Sequence, residues 1–151
     1  MAQYASKTQV SSAKSRDEIE RTLQRYGATQ FMYGWDEDAA LVGFKMNNLL
    51  IRFSLPMPDR NERRFTHTQQ GRKRVQNAAE KEFEQATRQR WRALALVIKA
   101  KLEAVESGIT TFEQEFMPNI VLPNNQTVGT YLLPQIAEAY EQGTMPKLLP
   151  S

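Results

Sequence analysis

Polar and apolar positions alternate with different periods along the chain, and the period changes mark the elements. Ile19, Leu23 and Tyr26 recur at i, i+4 and i+7, the spacing of one apolar helical stripe. Ser15 followed by Glu18 is a capping-box pattern, so a helix is predicted to start near Ser15 and to stop at Gly27. Residues 1–14 offer little to bury and read as a flexible arm. The period then falls to two. Phe31 to Trp35, Ala40 to Met46 and Leu49 to Leu55 read as three strands. Asp36-Glu37-Asp38 and Asn47-Asn48 are the turns between them. In the third strand Leu49, Ile51, Phe53 and Leu55 share one face, opposite Arg52 and Ser54, which suits a sheet packed on one side.

Residues 59–77 break all periodicity and read as a long polar connection with a single His, His67. From Ala78 to Ser107 the helical period returns. Phe83, Thr87, Trp91, Leu94, Ile98, Leu102 and Val105 form a core stripe, and Gly108 closes the helix. Its length, about 45 Å, leaves room for part of it to meet a second subunit. A short helix capped by Thr110 or Thr111, a short strand at 119–122 and a last helix from Val128 to Gln142 follow. Pro134 is expected to bend that helix or restart it, and the tail to pack Met145 and Leu148 or Leu149 onto the body. The fold class is therefore α+β: a three- or four-stranded antiparallel sheet packed on one long helix, with smaller terminal helices. Residues 15–151 form one domain.

Composition removes several chemistries. There is no Cys, so thiolate zinc sites, disulfides and Cys nucleophiles are excluded. One His excludes a two-His zinc motif. No apolar run is long enough to span a membrane, and the N-terminal stretch lacks a signal-peptide core, so a cytoplasmic protein is expected. Neither GxxxxGK[ST] nor GxGxxG occurs, and no cofactor is implied.

Charge adds the main functional signal. The chain carries a net +3, yet residues 60–74 alone sum to +5 while 107–151 sum to −3. Arg60, Arg63, Arg64, Arg72, Lys73 and Arg74 supply the loop's charge. On the long helix Lys81, Arg88, Arg92 and Lys99 lie in a narrow arc beside the apolar stripe and make a basic ridge, of which Arg88, Arg92 and Lys99 are the candidate contacts. Together they fit a phosphate-neutralising surface, with Phe65, and Tyr4 on the arm, as rings that stack on bases. Other readings are weaker. Asp36, Glu37, Asp38 and Asp59 are carboxylates of the kind that hold magnesium in nucleases. However, Gly43 stands two residues before the strand lysine Lys45, where that chemistry needs an acid. His67 has no visible catalytic partner. Trp35 and Trp91 read as core or interface anchors.

Two resemblances accompany these residues. RYGATQFMYG, IRFSLPMPD and the stretch from Trp91 to Leu149 resemble small uncharacterised phage and prophage proteins, which implies a phage-type accessory role in a host cytoplasm. Helix, three strands and a helix opening on GRKRVQNAAEKEF resemble, in element order, a double-stranded-RNA-binding domain. That resemblance implies phosphate contacts from Arg72, Lys73 and Arg74. The family's Pro-His loop is replaced by Asp36-Glu37-Asp38. The expected function is non-enzymatic, largely sequence-independent binding of DNA or RNA. The alternative is a host-takeover or anti-defence protein that binds a host protein or a nucleotide signal; a homodimer is compatible with either.

Overall fold

The computed structural model describes residues 2–36 and 38–145, and over 2–11 the backbone alone. Strands β1 (Gln30–Trp35), β2 (Ala39–Met46) and β3 (Leu49–Pro56) pair antiparallel in chain order. Met46 pairs with Leu49, leaving Asn47 and Asn48 as a two-residue turn. Both have positive φ, 53° and 61°, the conformation of a type I′ hairpin, which Asn tolerates better than most side chains. The register sets Tyr33 opposite Val42 and Val42 opposite Phe53, with Phe31, Phe44 and Ile51 aligned in the next row. One face of the sheet is thereby apolar, and Val42, Phe44, Ile51 and Phe53 are buried on it.

Helices α1 (Ala2–Arg25) and α3 (Gln76–Glu106) supply the other half of the core. Ile19 and Leu23 of α1 meet Trp91, Leu94, Ile98 and Leu102 of α3, the stripe expected from its period. The residues that meet advance together along both helices. Lys14 lies by Arg88 and Arg92, Arg25 by Lys99, and Tyr26 hydrogen-bonds Glu106. The two helices therefore run side by side in the same direction. Desolvation, then Glu106, raises the Tyr26 hydroxyl pKa above its ordinary value.

The helix start at Ser15 and the separate arm need correction, because α1 already begins at Ala2. Residues 2–14 contain no Gly or Pro and several good helix formers, so nothing interrupts the backbone ladder. Ser15 and Glu18 lie within the helix rather than at a cap.

Residues 59–77 are a folded corner. One helical turn, α2 (Arg63–Thr66), leads to a bridge between His67 and Lys73, and Gly71 turns at φ 86°. Helix α4 (Phe112–Phe116) starts on a capping box of Thr111 and Gln114. It drops Phe112 and Phe116 under the sheet; Phe116 meets Phe44 edge-on at 5.8 Å. The expected strand at 119–122 is reduced to isolated bridges, Ile120 to Ile51 and Val121 to Thr127, after a 3-10 turn at Met117–Asn119. Pro118 and Pro123 bracket it and cannot donate to a ladder. The sheet thus has three strands. Helix α5 (Val128–Gln142) contains Pro134, ends at Gly143 with φ 69°, and buries no residue fully. Met145 is exposed rather than packed, and Leu148 and Leu149 lie outside the described residues. Among the described residues no helix is long and apolar enough to cross a membrane.

Candidate nucleic-acid interface

The cations identified in the sequence fall into two groups on different flanks of α3. The first follows from the parallel packing of α1 and α3, which leaves a furrow between them on the side away from the sheet. Lys14, Arg21 and Arg25 line it from α1, and Arg88, Arg92 and Lys99 from α3. Each row spans eleven residues, roughly 16 Å of helix. Six cations face two carboxylates, Asp17 and Glu18. All six cationic side chains are exposed, and among the described residues none of them forms an ion pair. Gln85 and Gln89 add amide donors beside Arg88 and Arg92, where the hollow holds about 520 Å³.

The sequence reading found the α3 row and missed the α1 row. Lys14, Arg21 and Arg25 stand at i, i+7 and i+11, the same angular arc as Arg88, Arg92 and Lys99. That signal was present. It was hidden because Lys14 was assigned to an arm, and because only the tertiary contact turns the two rows toward one furrow.

The second group is the corner at 59–77, which packs on the opposite flank of α3. Arg90 donates to the carbonyl of Pro56 at 2.7 Å on that flank. Half of the group's charge is internally engaged. Arg64 pairs with Glu62 at 2.6 Å and lies over Phe65. Arg74 reaches Glu82 at 3.8 Å and donates through Nε to the His67 carbonyl at 3.2 Å. Arg60 sits over the ring of Phe83, 4.5 Å from its centroid. Arg63, Arg72 and Lys73 are exposed and lack ion pairs among the described residues.

Glu62 organises the corner. It accepts from the Asp59 backbone N–H at 3.0 Å and from Arg64. The Asp59 hydrogen bond first, and the Arg64 guanidinium next, hold its carboxyl below the usual value.

Phe65 is corrected as a stacking residue. It is 3% exposed and meets Phe83 edge-on at 5.6 Å, so its faces are covered by protein. It anchors the corner to α3. The side chain of Tyr4 lies outside the described residues. Trp91 is a core anchor as expected, whereas Trp35 is 72% exposed.

The remaining chemistry is sparse. Glu37 lies outside the described residues, and among those described no three His, Asp or Glu side chains converge as a metal site. His67 Nδ1 lies 2.7 Å from the Thr66 hydroxyl and its backbone bridges Lys73, a structural position in the corner.

Comparison of the chain with family models, with curated proteins and with solved structures gives no match.

Proposed function

We propose that this protein binds nucleic acid without cleaving it, gripping phosphates along the α1–α3 furrow with little reading of sequence, in an accessory role of the phage type. The furrow carries the reading: two parallel rows of exposed, unpaired cations face each other across one groove. Unpaired cations release counterions when they meet phosphate, which is the main source of sequence-independent affinity. Arg63, Arg72 and Lys73 extend the surface around the start of α3. The acidic corner of Asp36 and Asp38 weighs against a minor-groove contact from the β1–β2 turn, so the reading does not depend on the double-stranded-RNA-binding resemblance.

The test is binding of labelled single- and double-stranded DNA and RNA at about 50 and about 200 mM salt. Six phosphate contacts give a slope of log affinity against log salt of about −4 to −5, a loss of roughly 250- to 1,000-fold over that range. Replacing Arg88, Arg92 and Lys99 by Ala should shrink the slope by about one per lost contact and leave the melting temperature unchanged. Absence of binding at the lower salt, or a triple variant that binds as well as the parent, refutes the reading.

A further inference from the structure

We infer that the free edge of β1 pairs with β1 of a second copy of this chain, joining the two sheets into one antiparallel sheet across a two-fold axis at Tyr33. The pairing uses no residue of the furrow or the corner, so it stands or falls independently of the nucleic-acid reading.

The sheet has two edges, and the fold treats them differently. On β3 the segment after α4 covers the edge. The Val121 N–H donates to the Leu50 carbonyl at 2.8 Å, and Asn119 Nδ2 donates to the Arg52 carbonyl at 3.2 Å. The Arg52 guanidinium in turn donates to Asn125, at 3.2 Å to Oδ1 and at 2.8 Å to the backbone carbonyl. A charge on the strand and a covering loop are ordinary protections of a sheet edge. β1 has neither. Its sequence, QFMYGW, holds no charge and no Pro, and its pairing with β2 runs from Gln30 to Trp35 without a bulge. Met32, Tyr33 and Trp35 are 49%, 39% and 72% exposed.

The backbone of that edge is self-complementary. Met46 and Leu49 flank a two-residue turn, and hydrogen-bonded pairs alternate along an antiparallel ladder, so Lys45, Gly43 and Leu41 bond toward β1. Their partners are Gln30, Met32 and Gly34. The next residue in that series, Asp36, donates its N–H to the Ala39 carbonyl at 2.8 Å, as the alternation requires. Phe31, Tyr33 and Trp35 therefore direct their N–H and C=O groups away from β2, and among the described residues these groups have no hydrogen-bond partner. They are spaced evenly about Tyr33. A two-fold axis there pairs Tyr33 with the partner's Tyr33, and Phe31 with the partner's Trp35, so that every outward group is satisfied. A register two residues away leaves one of the three unpaired. Because β3 is covered, such pairing closes at two copies instead of growing into a fibre.

The side chains accept the same register. Met32 and Gly34 lie on the face of the sheet away from the helices. Gly43 makes room for Met32 within one chain, since a Cβ there would stand 3.3 Å from Met32 Cε. Gly34 leaves open space, with nothing within 4 Å of where its Cβ would be. The axis sets Met32 opposite the partner's Gly34, twice over, a large residue facing a hollow. Gln30 falls opposite the partner's Asp36, so no like charges meet along the ladder. Arg16 lies over the Tyr33 ring of its own chain, so the two guanidinium groups flank the axis, and salt screens them. Both helix pairs come to the same side of the joined sheet, which sets two furrows on one particle.

Sedimentation equilibrium of the full chain tests this, at about 0.3 M salt and up to about 100 μM protein. A species of roughly 35 kDa, twice the 17.4 kDa of one chain, is expected. Gly34→Lys should return it to a single chain with the same far-ultraviolet circular dichroism, because the new side chain has open space in one copy and puts a charge on the shared edge. The register has its own test, because the chain has no Cys. Met32→Cys and Gly34→Cys proteins, mixed in equal amounts and oxidised, should form a disulfide-linked dimer about tenfold faster than either variant alone, since facing residues of a non-hydrogen-bonded pair stand within disulfide reach. A single-chain species throughout the concentration range overturns the inference. A dimer that survives Gly34→Lys, or a mixture that cross-links no faster than the single variants, puts the contact on another surface and overturns it as well.

Discussion

Phe65 and Trp35 exchange the roles their surroundings in the sequence suggest. Phe65 sits among Arg, Thr and His, where an aromatic ring looks free for a ligand. Its burial is decided by Phe83 on another element, a contact no local pattern announces. Trp35 ends an apolar strand and looks like core, yet the strand stops at the sheet's edge and leaves it outside. Phe116 is the clearest core residue of the C-terminal part, with Phe44, Phe53 and Phe112 around its ring. Phe116→Ala should cost about 3–5 kcal/mol in denaturant unfolding. Trp35→Ala should stay within about 0.5 kcal/mol of the parent in the same assay. Glu62 carries the pH signature of the corner. Its carboxyl titrates below the ordinary value, so its contribution is complete above the unfolded value and disappears as pH falls through the folded one. A carbon-detected NMR titration should find its midpoint depressed, and Arg64→Ala should move it part of the way back.

At the scale of elements, legibility followed locality. The α3 stripe, the three strands and the tight turn at Asn47-Asn48 rest on neighbours a few residues apart, and all are readable from the sequence. Asn47 and Asn48 state their backbone conformation through their residue type alone. Asn48→Ala should therefore cost roughly 1–2 kcal/mol, and Asn48→Gly should be tolerated, in thermal melts. The length of α1, the loss of a strand at 119–122 and the α1 wall of the furrow were not readable. The first needed the whole helix rather than its best cap. The second turned on two prolines that leave Ile120 a single bridge to β3. The third needed the parallel approach of two helices separated by a whole sheet in sequence. The furrow and the corner should also separate experimentally. Alanine at Lys14, Arg21 and Arg25 should reduce the salt slope as much as alanine on the α3 row. Alanine at Arg63, Arg72 and Lys73 should reduce it less, because these lie on the other flank of α3.

The whole molecule is electrically lopsided. The helix pair and the corner carry the exposed cations, while residues 102–146 contain no Lys or Arg at all. A charged partner therefore meets a field that is positive along the helix pair and the corner and negative over the C-terminal stretch. The same stretch is pinned to the core by Phe112 and Phe116 and tied to α3 by Lys101, which pairs with Glu115 at 3.3 Å. A protease that cuts only after Lys and Arg therefore has no site between Lys101 and Lys147. Trypsin releases α4 and α5 as one intact piece or not at all. Cleavage at Lys101 becomes a clock for the opening of the aromatic core, read on a gel with no label attached.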